Sequence, residues 1–364
     1  MEFTFSSEQE ARRDSVRSFL AARAPSAYVR AMVDDERGVA PDVWDEIVSL
    51  GWTALLVPED SGGLGLGLVD AVVVLEEMGR LPFPGPFFSS AVLATMAAAR
   101  LGLNDRLASL AAGATRGTVA LDEVGHGSPV ARVRTRAVRK AGRWLLTGHK
   151  PVVLDGHTAD WCLVVARTQQ GLGTFMLEGP VGEPVPGLDV TRKLASVRLD
   201  GRVAEPVGPD GDHTAIWQRV ADDAAVALCA ELIGAGEQAN HIAVEYAKAR
   251  VQFDRPIATF QAIKHKLAEM LHRLELARVG THYAAWASDA DDPVRAEAAA
   301  MAKGFAPGAV NEICAECIQI HGGVGFTWDC DAHLFYRRAK QNDLLLGYQG
   351  WHRQRLADMV LTPA

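Results

Sequence analysis

Three places in this 364-residue chain carry residues whose type and spacing could do chemistry. The first is Glu231, alone among apolar residues in the run 224–233. An unpaired carboxylate in such surroundings is costly, and burial raises a carboxyl group toward the range of a general base. The competing reading is a Glu paired with an Arg or facing a subunit boundary. The second place is Gln319-Ile320-His321-Gly322-Gly323-Val324-Gly325-Phe326-Thr327-Trp328, which follows an apolar helical run over 309–318. Glycines there can end the helix and let a ligand or another chain touch the backbone. The third is Arg250-Val251-Gln252-Phe253, a forked cation three residues before an aromatic ring. Cys314, Cys317, His321 and Cys330 could be drawn as a zinc site, but the cysteines lie inside the apolar run and are better read as packed small residues. His321 could donate a proton; a loop residue satisfying the backbone is the better account.

The elements that position these residues fall into a helical, β, helical order. Residues 1–113 read as helical. Ser6 with Gln9, or Ser7 with Glu10, fits a capping box. Pro41-Asp42 opens a second helix, with Trp44, Ile47 and Val48 on one face and Gly51 placed to end it. Residues 56–67 are a glycine-rich loop whose spacing does not match a dinucleotide fingerprint. Val69–Met78 opens a helix, Leu81–Pro86 breaks it, and Ala91–Leu101 is helical again. From Val130 to Val138, arginines 132, 134 and 136 alternate with Val133, Thr135 and Ala137, the period of a half-buried strand. Residues 144–146, 161–166 and 174–177 read as further strands, so 114–208 is expected to be a small β domain. From about 214 the helical period returns and holds almost to the end, so 209–364 is expected to be a C-terminal helical bundle. Ile263, Leu267, Met270, Leu271 and Leu274 fall on one face, as in a helix bundle.

Composition excludes several classes. The net charge is -8, which argues against a nucleic-acid partner. No apolar run is long enough to span a bilayer, and the first residues lack a signal peptide's pattern. A cytoplasmic location is the expectation. Five cysteines argue against a disulfide framework.

The stretch Tyr246-Ala247-Lys248-Ala249-Arg250-Val251-Gln252-Phe253, the segment from Phe260 to Met270, and the Gln319–Gly323 loop together resemble the C-terminal signatures of the acyl-CoA dehydrogenase family. Val57-Pro58-Glu59 and Leu146-Thr147-Gly148-His149-Lys150 are similar to the family's other domains, so the resemblance covers nearly the whole chain. It implies an α+β fold: an N-terminal helical domain, a middle β domain and a C-terminal helical bundle. It also implies FAD, an acyl-CoA substrate, a homotetramer or heterotetramer, and electron transfer to an electron-transferring flavoprotein. In the family a carboxylate takes the α-proton of the thioester while the β-hydrogen leaves as hydride to the flavin. The adenine–pyrophosphate half of each FAD is held by the neighbouring chain through R-x-x-F and Q-x-x-G-G motifs. Here the matching residues are Arg250, Phe253, Gln319, Gly322 and Gly323.

The other half departs from the family. The usual catalytic Glu becomes Gln349, in Tyr348-Gln349-Gly350-Trp351, where Trp351 could fill the space a substrate would need. The alternative helix position for the base falls at about Ala224, with Asp222, Asp223 and Glu231 nearby. Asp122 stands where a flavin-bonding Thr is common, and Val152 and Leu154 replace a Trp and a Thr; Ser128 remains a flavin contact. His333, Arg337 and Arg338 are read as interface or helix-surface residues. The expected activity is FAD-dependent α,β-dehydrogenation of an acyl-CoA thioester, with Glu231 the nearest available base. The alternative is a catalytically silent partner subunit that completes the FAD site of a sister chain, as among bacterial enzymes of steroid side-chain oxidation. A third reading is a dehydratase or binding protein that has lost flavin.

Overall fold

The computed structural model describes residues 5–361. Helix α1 (Ser7–Arg23) opens on a capping box in which Ser6 and Gln9 satisfy each other's backbone; Ser7 already lies within the helix. Then come α2 (Ser26–Ala31), α3 (Pro41–Ser49) and α4 (Leu68–Gly79). Gly51, at φ +74°, lets the chain turn after α3. Trp44 and Ile47 are buried on the α3 face. The expected helix over 91–101 is in two parts, a π-helix (Phe87–Ala94) followed by α5 (Thr95–Leu101), before α6 (Asn104–Ala111).

Strands β1 (Gly117–Ala120), β2 (Arg136–Lys140), β3 (Arg143–Leu154), β4 (Trp161–Thr168), β5 (Gly171–Glu178), β6 (Glu183–Val185) and β7 (Leu194–Val207) form one sheet. Pairings β4–β2, β2–β3, β3–β7, β7–β5 and β5–β4 return to the starting strand, so these five close a small barrel. Its interior holds Ala137, Leu146, Cys162, Val164, Phe175 and Val197. The strand expected from Val130 begins only at Arg136. Before it, the Glu123 carboxylate takes the N–H groups of Arg134 and Thr135, which a sheet neighbour would otherwise need. The long strand β7 alternates less regularly than β2 and was not anticipated.

The rest is a bundle of α7 (Thr214–Ala249), α8 (Gln261–Asp289), α9 (Arg295–His321), α10 (Ala332–Leu344) and α11 (Gln349–Leu361), with a two-residue hairpin of β8 (Val251–Gln252) and β9 (Arg255–Pro256) after α7. On α8, Met270 and Leu274 are buried, with Ile263 and Leu267 packed beside them; Leu271 faces outward, one residue off the stripe. Helices α4 and α7 cross backbone to backbone. A Cβ at Gly79 would meet the Glu231 carbonyl oxygen at 2.1 Å, and one at Gly234 would meet that of Glu76 at 1.8 Å. Among the described residues no helix is long and apolar enough to cross a membrane.

His352, on α11, is buried; burial, and then the nearby Lys303 cation, pull it down to about 3. Its folded form is therefore neutral where the unfolded chain takes up a proton. Stability is expected to hold above pH 6.5 and to fall on acidification toward pH 3, by roughly 1.4 kcal/mol per pH unit from this group. Urea titrations from pH 7 to 4 measure the slope, and His352→Gln is expected to flatten it.

Candidate functional site

The C-terminus of α7 and the glycine loop after α9 lie side by side. Tyr246, one turn before Arg250, stacks on His321 with ring centroids 4.4 Å apart. His321 Nδ1 donates to the Cys317 carbonyl at 2.8 Å, so its proton is spent on the helix end, while Cys317 Sγ stands 3.8 Å away. Burial pushes the Cys317 thiol up to about 12, out of thiolate chemistry. Beyond His321, Gly322 (φ +65°) and Gly323 are exposed, and a Cβ on either would meet nothing within 4 Å. Gln319 and Arg250 are exposed beside them, and Arg250 makes no ion pair among the described residues. This is an open cradle with unspent donors, fit for a pyrophosphate.

Phe253, three residues after Arg250, is held at a conformational cost. It and Asp254 form the turn between β8 and β9 at φ +54° and +61°, the left-handed region. Phe253 remains 86% exposed, edge-on to Phe260 at 6.0 Å. A strained aromatic held in solvent points to a ligand rather than to packing. Phe253→Gly is expected to stabilise the isolated chain by about 1 kcal/mol while weakening whatever the cradle holds. Thermal melts read the first effect and ligand affinity the second.

The second place is a cleft of about 560 Å³ between the middle and C-terminal parts. Its walls include Asp122, His126, Val152, Leu188, Leu344 and Tyr348. The Arg132 guanidinium donates to Asp122 and to the carbonyls of Gly125 and Gly127, and Leu346 N donates to Asp122 at 3.2 Å. Behind it Lys150, fully buried, donates to Glu123 at 2.8 Å. Burial would raise Glu123; Lys150 and the Thr135 donors outweigh it and hold the carboxyl below its usual range. Ser128 accepts from Ala131 N at 3.2 Å, so its hydroxyl caps a local turn. The Trp351 indole, on the first turn of α11, comes within 3.9 Å of where a Cβ on Gly127 would stand. Both carboxylates on these walls, Asp122 and Glu123, are paired, while Gln341 Nε2 and Arg132 Nε are buried there without a hydrogen-bond partner among the described residues. The cleft thus keeps donors but offers no free carboxylate as a base, and the Val152 and Leu154 side chains cannot make the flavin contacts expected of a Trp and a Thr.

Gln349 does not face the cleft. Its backbone and side-chain N–H groups donate to Asp343, each at 3.0 Å, and its oxygen takes Arg353 at 2.7 Å and lies against Gly308 of α9. Glu231 is not a free base either, which corrects the expectation drawn from its apolar neighbours. The Arg192 guanidinium donates to it, Asn342 Nδ2 donates at 3.0 Å, and Arg338 Nη1 stands 3.8 Å away. Its partners come from β7's approach and from α10, more than a hundred residues away along the sequence in the case of α10, so the local run could not reveal them. Asp222 pairs with Arg355, and Asp223 with Arg219 and Arg100.

Arg338 is a second correction: read as a surface residue, it is 1% exposed. It ties Asp189 and Thr191 of the middle segment to the carbonyls of Pro82 and Phe83. Burial alone would raise Asp189; Arg338 and Arg192 overcome it and keep the carboxylate ionised. His333 is also buried, edge-on to Trp328.

Comparison with known proteins agrees with this architecture. Family models described as acyl-CoA dehydrogenase N-terminal, middle and C-terminal domains match residues 6–105, 118–206 and 214–361. The chain is 35% identical over 342 residues to acyl-CoA dehydrogenase IpdE2 of Mycobacterium tuberculosis, covering 93% of each. Among solved structures, the Tcur3481-Tcur3483 steroid ACAD superposes with a TM-score of 0.89 at 30% identity, over 97% of this chain and 98% of that one. The ChsE4-ChsE5 complex of Mycobacterium tuberculosis gives 0.89 at 28% identity over the full length of both chains.

Proposed function

The chain belongs to the acyl-CoA dehydrogenase family of FAD-dependent oxidoreductases, and from that premise we propose that it is the supporting subunit of a two-chain acyl-CoA dehydrogenase. It holds the adenine–pyrophosphate half of an FAD whose ring, substrate and catalytic base belong to a sister chain. One observation carries this reading: the neighbour-facing cradle is open and unspent, while both carboxylates on the walls of the chain's own cleft are taken, Asp122 by Arg132 and Leu346 N and Glu123 by Lys150, so that no free base faces it. Arg250 would meet the pyrophosphate with a forked donor, and the backbone at Gly322 and Gly323 would approach it closely. When bound, FAD accepts the hydride taken from the β-carbon. This chain's contribution is to orient and retain it.

The sister chain must supply the base, because Gln349 cannot accept a proton at neutral pH and Glu231 is held by two arginines and an amide. The substrate is an acyl-CoA thioester, and the steroid ACAD among the relatives supports one derived from steroid breakdown. The paired chains of ChsE4-ChsE5 support a heteromeric assembly. Electrons would leave to an electron-transferring flavoprotein.

The test is Glu231→Gln in the complex with the sister chain. The expected kcat stays within about twofold of the parent, since no interaction made only in the transition state is removed. A fall of a hundredfold or more, with flavin content and melting temperature unchanged, would make Glu231 the base and overturn the reading.

A further inference from the structure

The barrel formed by β2, β3, β4, β5 and β7 is open at one end. A cavity of about 660 Å³ enters there, and each of the five strands lines it, through Arg139, Trp144, Thr168, Phe175 and Val207 among others. It lies apart from both the glycine cradle and the cleft at Asp122, with no lining residue in common. We propose that this barrel mouth is a second ligand site, taking a small aromatic molecule that bears an anionic group.

Ala137 faces the barrel interior, and Arg139, two residues on, is carried on the same face to the rim. Trp144 is its cross-strand partner on β3, half-buried and tilted against Phe175 at 5.3 Å. An inward position at a strand end thus holds a cation where the strand pattern calls for an apolar residue. Neither the Arg139 guanidinium nor the Trp144 indole N–H has a hydrogen-bond or ion-pair partner among the described residues. Lys140 and Arg143, opposite each other at the same hairpin end, are equally unpaired there. Asp210, in the exposed loop at 208–211, is the opposing carboxylate on the lining. On the lining Arg139 stands against Asp210 alone, and because the Arg139 guanidinium is unpaired beside the Trp144 ring it is the group an anion would meet. The floor favours an aromatic body, since the half-buried Trp144 presents ring surface with the buried Phe175 packed beneath it. Thr174 and His213 also line the mouth and are bonded to each other at 2.8 Å, which leaves the floor rigid and without net charge demand. Barrel mouths with an apolar interior and a few rim charges are a common setting for small-ligand sites.

The probe is 8-anilinonaphthalene-1-sulfonate, titrated into the full chain at 0.15 M salt by fluorescence and calorimetry. The expected result is one site per chain, weakened about tenfold by Arg139→Gln and less than twofold by Arg143→Gln, whose charge lies outside the cavity and is screened. The uncharged analogue N-phenyl-1-naphthylamine should bind at least tenfold more weakly. No binding, equal losses in the two variants, no loss in Arg139→Gln, or equal affinity for the uncharged analogue would each overturn the proposal. Both substituted residues are exposed, so folding is not at stake.

Discussion

Arg250→Gln in the two-chain complex is expected to weaken FAD binding by about 10- to 100-fold, the loss of a charge-assisted forked contact to phosphate. Arg250 is exposed at the end of α7 and unpaired among the described residues, so its replacement should leave the melting temperature of the isolated chain unchanged. The effect is confined to assembly with flavin, which separates a binding role from a structural one. Arg255→Gln, five residues on, is the control. Its guanidinium lies over the Phe260 ring at 4.1 Å and is already engaged, so the expected loss in affinity is small. Flavin affinity measured by fluorescence on the reconstituted complex distinguishes the two. Equal effects would mean that the hairpin as a whole, not the Arg250 fork, supports the cofactor.

Arg338→Met is expected to destabilise the chain by about 3–5 kcal/mol, the usual cost of removing one partner from a buried ion pair. It would leave Asp189 charged in the interior and strand the carbonyls of Pro82 and Phe83. For a chain of this size that corresponds to a drop in melting temperature of about 5 °C. Arg337→Met on the same helix, at a half-buried position whose one hydrogen bond among the described residues is to the Leu188 carbonyl and whose guanidinium lies 6.0 Å from the Trp328 ring, should shift it by less than 1 °C. The pair tests the assignment of Arg338 as the residue that ties the three segments together. A loss of Arg338 that costs no more than that of Arg337 would refute it.

Much of this could be read in the sequence because it depends on short-range pattern. Ser6 and Gln9 announce the start of α1, Pro41 and Gly51 bracket α3, and the spacing of Met270 and Leu274 marks a buried face. Arg250, Phe253, Gln319, Gly322 and Gly323 belong to two compact motifs and could be picked out as candidates in the same way; that they hold a cofactor is the proposal made above. What escaped depends on contacts between distant segments. Glu231 looks like an orphan among alanines and leucines; Arg192 and Asn342, which satisfy it, come from β7's approach and from α10. Arg338 follows another arginine in what reads as a helix surface, and only the folding of Asp189 beneath it makes it interior. The start of β2 was misplaced for a similar reason. The alternation from Val130 is real, but Glu123 claims the N–H groups that pairing would use.

On the proposed reading this chain lends half a flavin site and completes none of its own. The most direct measurement is the absorption spectrum and flavin stoichiometry of the chain purified alone in excess FAD, and again after co-expression with its sister chain. The account predicts a colourless protein in the first case and one FAD per pair of chains in the second. Stoichiometric flavin on the chain alone, bleaching when an acyl-CoA is added without oxygen, would contradict it and make this chain a complete dehydrogenase.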